Sequence, residues 1–323
     1  MRALVCTALD DDFLGLGELP RPEPGPNEVL VKVVAAGVNF ADTLMVRGQY
    51  QEKPELPFAP GLELAGLVDR LGDGVTGLTP GQRVMALTGR GAFAEYAVAK
   101  QSDVFVLPQE MDFDTAAGFA VTYGTAHGAL RWHADLQPGE TLMVHGAGGG
   151  VGLAAVECGK ALGARVIASA GDAKKLQVAV DHGADATIDY RQEDVKTRMR
   201  ALTEGLGVDV VFDPVGGPVF DASLRATAWG GRLVVIGFAA GEVQQIPANI
   251  LLVKNISVHG MYWGSNRTMA PQRLTTQFDE LFAWYKAGKI KPYVSQGYAL
   301  EDGAQAIADL RARKTTGKVV IRP

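Results

Sequence analysis

Thr141-Leu142-Met143-Val144-His145-Gly146-Ala147-Gly148-Gly149-Gly150-Val151-Gly152 is the stretch that decides how this chain folds. The run from Leu142 to Val144 follows the turn residues Gln137-Pro138-Gly139-Glu140 and reads as a short buried strand. The glycines after it allow a tight turn into a helix starting near Gly150. Strand, glycine turn and helix together hold a pyrophosphate: backbone N–H groups point out of the helix N-terminus, and residues without side chains let the anion approach. The literal GxGxxG pattern is absent. AxGxxG fits instead on Ala147, Gly149 and Gly152, with Gly146, Gly148 and Gly150 making the turn roomy. A glycine cluster alone also reads as an ordinary flexible turn, the weaker of the two readings, and the residues that follow cut it down further.

About twenty residues on, Arg165-Val166-Ile167-Ala168-Ser169 reads as a second strand, but Ala170 stands where an acidic residue would take a ribose 2′-hydroxyl. Ser169, Lys174 and Lys175 offer a hydroxyl and two cations there, which suits a 2′-phosphate and hence NADP(H). Further strands at 186–189, 208–213, 231–237 and 256–260 alternate with helical stretches such as 172–182 and 193–203. Six strands in this alternation predict an α/β, doubly wound parallel sheet that binds ligand at the carboxyl ends of its strands.

On the N-terminal side, short β-branched runs at 29–35, 64–70, 83–87 and 95–98, punctuated by proline and glycine, predict a small irregular barrel. Residues 113–131 read as one helix. After 264 come a helix over 272–286, a short strand near 294 and 296–299, a helix over 300–312 and a strand over 318–321. These complete the first domain, which places 1–122 and 265–323 in one domain and 123–264, the sheet, as an insertion. The net charge of −5 is spread without blocks and no basic stripe stands out, which argues against nucleic acid. No apolar run approaches the ~18 residues of a membrane span. Cys6 and Cys158, the only cysteines, give no disulfide framework and fit a reducing, cytoplasmic setting.

Ala36-Gly37-Val38-Asn39-Phe40-Ala41-Asp42-Thr43, Pro60-Gly61-Leu62-Glu63-Leu64-Ala65-Gly66, Gly81-Gln82-Arg83-Val84, Val121-Thr122-Tyr123-Gly124-Thr125-Ala126, the stretch from His145 to Leu153 and Thr316-Gly317-Lys318-Val319-Val320 carry a family resemblance. Over essentially its whole length the chain resembles the medium-chain dehydrogenase/reductase superfamily, and within it the zinc-free quinone oxidoreductase (zeta-crystallin-like) branch. The resemblance implies a GroES-like β-barrel catalytic domain, a Rossmann domain, NADPH in the cleft between them, and a homodimer joined through the last Rossmann strand near 256–260. It also implies that Asn39, Thr125, Ala147, Gly149, Gly150, Val151, Gly152, Ser169, Lys175, Tyr190, Phe238, Arg313 and Lys318 lie along the cofactor, with Lys175, Tyr190 and Arg313 at its 2′-phosphate or adenine end. A tyrosine common near the nicotinamide in this branch is replaced by Leu44, while Tyr50 keeps a second one.

Zinc-binding relatives place a cysteine before the Gly-x-Asp near position 39 and a histidine before the glutamate of their Pro-Gly-His-Glu turn. Here those places hold Asn39 and Leu62, with Glu63 left alone, so no metal is expected. The five histidines show no ligand spacing and read as ordinary core or surface residues. Tyr285-Lys286-Ala287-Gly288-Lys289 is a literal YxxxK, but Gly288 reads as a helix C-cap, which makes the match a chance one.

The expected reaction is hydride transfer from NADPH to a quinone or an α,β-unsaturated carbonyl compound. Asn39, Tyr50 and Thr125 are the polar groups expected to orient the acceptor and steady its developing charge. Tyr50, Tyr123, Tyr262 and Trp263 could stack on a flat substrate or simply pack. Two other readings stay open: a cofactor-binding protein with a structural or RNA-binding role, and an alcohol dehydrogenase.

Overall fold

The glycine turn sits where the sequence places it, at the carboxyl end of the central strand of a parallel sheet. The computed structural model describes residues 1–10 and 13–323. Seven strands come first: β1 (Arg2–Cys6), β2 (Leu14–Glu18), β3 (Glu28–Gly37), β4 (Glu63–Leu71), β5 (Arg83–Leu87), β6 (Tyr96–Lys100) and β7 (Val104–Val106). Six follow: β8 (Thr141–Val144), β9 (Arg165–Ala170), β10 (Ala186–Asp189), β11 (Val208–Asp213), β12 (Thr227–Val235) and β13 (Ser257–Gly260). β14 (Val294–Ala299) and β15 (Lys318–Arg322) close the chain.

The chain divides into two compact units. The first takes Met1–Val121, Asn266–Phe278 and Pro292–Pro323, and the second takes Thr122–Ser265 and Asp279–Lys291. The sequence reading assigns all of 265–323 to the first domain, whereas here the stretch from Asp279 to Lys291 goes with the second. One reason is local: the Lys291 backbone N–H is bound by Glu157, deep in the second unit, at 2.9 Å.

The second unit is the expected sheet. Its strands run in the order β10-β9-β8-β11-β12-β13, all parallel. This is the doubly wound order whose reversal, beside β8, opens a crevice for a dinucleotide. Burial on both faces explains the near-continuous apolar runs, such as Val166 to Ala170 in β9. The helices start on recognisable caps: Asp172 accepts the Lys175 N–H before Ala173–Asp181, and Asp194 accepts the Thr197 N–H before Val195–Leu202.

The first unit is built on β3, ten residues long, which pairs antiparallel with β4 and β6 and at its end with β15. The sheet continues as β14-β15-β3-β4-β5-β7. The hairpin of β1 and β2, and β7, lie outside the sequence expectation. Runs of five residues or fewer give little periodicity to read. The single helix expected over 113–131 is three pieces, Phe113–Ala117, Ala120–Gly128 and a wide turn over Ala129–His133. The break falls at Gly118, whose φ of −95° and ψ of 6° leave the helix. A Cβ there would lie 2.5 Å from Lys318 Cγ.

Candidate active site

After β8, Gly146 turns the chain with φ at 60°, a left-handed backbone that favours glycine. The turn is tied on both sides: the His145 N–H donates to Phe212 at 3.1 Å, Ala147 to the Ser169 carbonyl at 2.9 Å and Gly149 to the Gly146 carbonyl at 2.9 Å. Gly149 is the extended N-cap of the helix Gly150–Ala161. The glycines have different duties. A Cβ on Gly152 would lie 2.2 Å from the Gly146 carbonyl oxygen, so that position fixes helix-to-turn packing. A Cβ on Gly149 would meet nothing nearer than 3.4 Å, which leaves its surroundings open. Gly149, Gly150 and Val151 are half-buried, while Ala147 and Gly152 are buried. First-turn N–H groups of a helix have no intrahelical partner, so this end presents donors to an anion. The cradle therefore fits a pyrophosphate.

Lys175 lies beside the cradle. A Cβ on Gly148 would come within 2.5 Å of Lys175 Cβ, so the lysine stem runs along the turn only because position 148 has no side chain. Tyr190, just past β10, covers Gly171, just past β9: a Cβ there would lie 2.7 Å from the tyrosine hydroxyl. These two residues and the half-open glycines gather at the carboxyl ends of β8, β9 and β10. Phe238, after β12, is 42% exposed, and Thr125 is buried in the helix Ala120–Gly128.

Ser169 plays a different part from the expected one. Its hydroxyl is fully buried and lies 2.7 Å from His145 Nδ1, while His145 Nε2 lies 2.6 Å from the Ser223 hydroxyl. Burial lowers the His145 pKa, opposed by the charge of Asp213, so the ring is neutral and ties β8, β9 and the helix Pro218–Ala226 together. What Ser169 gives the cradle is its carbonyl, the acceptor for Ala147.

Glu157 anchors the helix Gly150–Ala161 that starts at the glycine turn. Its carboxylate takes the Tyr123 hydroxyl at 2.6 Å and the Lys291 N–H at 2.9 Å, and pairs with His182 Nδ1 at 2.5 Å. Tyr123 is therefore a packing residue, and so is Trp263, whose ring fills the space over Gly124. Tyr262 is 41% exposed. His127 pairs with Glu280 at 2.8 Å, a structural role like those of His145 and His182.

The first unit holds a buried polar cluster. Lys318 Nζ lies 2.6 Å from Asn39 Oδ1, 2.7 Å from Glu63 Oε1 and 3.0 Å from the Val38 carbonyl. Asn39 Nδ2 donates to Glu63 Oε1 at 2.9 Å and to the Gly37 carbonyl at 3.3 Å. Glu63 Oε2 accepts the Val121 N–H at 2.8 Å. Glu63, which the sequence leaves without fellow metal ligands, has its carboxylate shared by a lysine and an amide. Asp42 reaches back to the Asn39 N–H at 2.7 Å, and its other oxygen is buried with no partner among the described residues. Burial pushes its carboxyl up to about 7, against the pull of the Asn39 N–H and the Lys318 charge. Tyr50 packs half-buried against the apolar core of this unit. Arg313 is exposed just past the helix Gly303–Arg311, in left-handed backbone with φ at 58°.

Sequence reasoning missed the cluster's connectivity because Lys318 and Glu63 stand 255 positions apart and no spacing rule joins them. A weak signal was present: a buried-looking glutamate at a strand start needs a cation, and Lys318 opens the last strand.

Known proteins bear on this geometry directly. Residues 25–109 match the alcohol dehydrogenase GroES-like domain, and residues 150–281 match the zinc-binding dehydrogenase domain. The chain is 42% identical to the quinone oxidoreductase-like protein 2 homolog of Nematostella vectensis, over 99% of this chain and 88% of that one. It is 38% identical to the quinone oxidoreductase of Pseudomonas aeruginosa, over 93% of each. The Escherichia coli quinone oxidoreductase solved with NADPH superposes on it with a TM-score of 0.93, at 32% identity, over 100% of both chains. The chain belongs to the medium-chain dehydrogenase/reductase superfamily, in its quinone oxidoreductase branch, and is an oxidoreductase with a Rossmann unit and a GroES-like unit.

Proposed function

We propose that this protein transfers hydride from NADPH to a quinone or to the β-carbon of an α,β-unsaturated carbonyl compound, without zinc. The observation that carries the reading is the pairing of an open glycine cradle with Lys175 beside it and no acidic residue at the end of β9. The cradle's N–H groups would hold the pyrophosphate, and Lys175 the 2′-phosphate, with Arg313 as a second cation suggested by the resemblance. NADPH, when bound, supplies the hydride.

The protein's part is to hold and to shield. The resemblance suggests Thr125, Tyr50 and Asn39 as the polar side chains for the reacting end, as orienters more than as acids. A conjugated acceptor spreads its incoming charge onto an oxygen, so positioning and fixed dipoles suffice. Zinc independence is supported by the side chains present: Asn39 and Leu62 are poor ligands, and Glu63 is occupied by Lys318 and Asn39. Residues 150–281 contain Cys158, His182 and His259 as their only cysteine and histidines, and no cluster of three or more His, Cys, Asp or Glu able to hold a metal occurs among the described residues.

A homodimer through β13 is part of this reading. β13 pairs with β12 on one side only, and Trp229, Val243, Leu252 and Val253 of the same unit are each at least 68% exposed. Two free, buried cysteines support a reducing compartment. The test is NADPH consumption with 1,4-benzoquinone, 9,10-phenanthrenequinone and enones, beside NADP⁺ reduction by simple alcohols. Activity confined to the alcohols would replace this reading by the alcohol dehydrogenase one, and silence on every substrate would favour a cofactor-binding protein without turnover.

A further inference from the structure

The two helices beside the cradle are tied to each other at two levels. Gly150–Ala161 follows β8 and Ala173–Asp181 follows β9, so both start at the carboxyl end of the parallel sheet. At that end the first helix offers its N–H groups, and Lys175 on the second lays its stem in the space left by Gly148. Lower down, Glu157 of the first helix meets His182, the C-cap of the second. Glu157 is seven residues past Gly150 and His182 seven past Lys175, about 10 Å along each axis. Seven residues make nearly two full turns, so Lys175 and His182 face the same neighbour.

The two levels differ in kind. The upper contact is the aliphatic stem of a lysine, whose packing has no preferred direction. The lower one is a hydrogen bond at 2.5 Å; a carboxylate only accepts, so His182 Nδ1 carries the hydrogen. Its side chains are 4% and 14% exposed, out of the water that weakens surface pairs. Glu157 is itself held in place: Oε2 takes the Tyr123 hydroxyl at 2.6 Å and the Lys291 N–H at 2.9 Å, which leaves Oε1 aimed at His182. A further ion pair, Lys160 with Asp185 at 2.8 Å, is 33% and 37% exposed and lies past the end of the second helix.

We propose that Glu157 and His182 are positioning residues, whose buried pair fixes the second helix against the first so that Lys175 stands where the 2′-phosphate falls when the pyrophosphate lies on the cradle. The inference rests on the reading under Proposed function, which gives those two phosphates their partners. One dinucleotide carries both phosphates, so the placement of the two helices decides whether both are met at once. NADH carries no phosphate for Lys175 to hold. The pair therefore bears on the choice between the two cofactors, and acts through Lys175 with no contact of its own.

The experiment uses the full chain with His182→Ala, Lys175→Ala and their combination. His182→Asn, whose side-chain N–H stands in for Nδ1, is the conservative variant. Fluorescence reads the dissociation constants of NADPH and NADH. His182→Ala should weaken NADPH about five- to tenfold, part of the one to two decades expected for losing Lys175 itself, and leave NADH unchanged. His182→Asn should restore most of that loss. In the Lys175→Ala background His182→Ala should change neither constant, since the pair then has nothing to position.

A His182→Ala protein that binds NADPH as the wild type does, or that loses NADPH and NADH equally, would overturn the proposal, because the pair would then serve the fold alone. A loss of the same size with and without Lys175 would overturn it too. Should His182→Ala fail to fold, His182→Leu keeps most of the volume without the nitrogen and must show the same selective loss. Wild-type NADPH binding in Lys175→Ala takes down the 2′-phosphate assignment and this inference with it. A selective loss in Lys175→Ala with none in His182→Ala defeats this inference alone.

Discussion

At the scale of single residues, two buried groups tilt stability in opposite directions with pH. Asp42, held neutral by burial, binds its proton up to about 7 in the folded chain against an ordinary 3.8. Between those values the folded state holds more protons than the unfolded one, so the contribution of Asp42 is full below about pH 4 and is lost as pH rises through 7. Asp42→Asn removes the charge while keeping an oxygen for the Asn39 N–H. It should flatten that slope and raise the melting temperature at pH 8, by roughly 2–4 °C for each kcal/mol recovered. A melting profile over pH 4–9 that is parallel in both proteins would contradict it. His145 works the other way: its pKa is lowered by burial, so stability falls as pH drops below the ordinary 6.5. Lys175→Ala should raise the NADPH dissociation constant by about one to two decades, as the loss of a charge-assisted contact does, and leave NADH nearly unchanged. Equal losses with both cofactors would remove Lys175 from the 2′-phosphate.

Elements show what in the sequence could be read. β8, the glycine turn and the helix Gly150–Ala161 were legible because a buried run, a left-handed turn and a helix start each leave a local mark. The end of β9 at Ala170 was legible by counting from the turn. Ser169 was misread because strand alternation puts its hydroxyl under the sheet surface, towards His145, and a residue name does not tell which face it takes. The Glu63–Lys318 pair left only a weak mark in the sequence, since it joins β4 to β15 across the chain. Glycines in the turn can be told apart by substitution. Gly152→Ala drives a Cβ against the Gly146 carbonyl and should cost about 1–3 kcal/mol of stability. Gly148→Ala meets Lys175 instead, and should weaken NADPH more than NADH. Denaturant melts and the two dissociation constants check both, and an interchange of the two effects would contradict the assignment.

For the whole molecule, the two units carry separate tasks: one builds a dinucleotide cradle on a parallel sheet, the other buries a polar cluster in a GroES-like sheet. No helix among the described residues is long and apolar enough to cross a membrane. Assembly through β13 predicts that Leu252→Glu with Val253→Glu, two exposed apolar positions in the helix Ala248–Lys254, shifts the sedimenting species from dimer to monomer. An unchanged species would put the partner surface elsewhere. NADPH-driven reduction of an activated carbonyl acceptor needs only the protein's own dipoles under the proposed function. The decisive measurement is steady-state NADPH oxidation with 9,10-phenanthrenequinone after dialysis against a chelator, with NADH run in parallel. Saturable quinone-dependent turnover that survives chelation, with kcat/KM at least about tenfold higher for NADPH than for NADH, is the predicted result; turnover abolished by chelation and restored by zinc, or equal use of both cofactors, would contradict it.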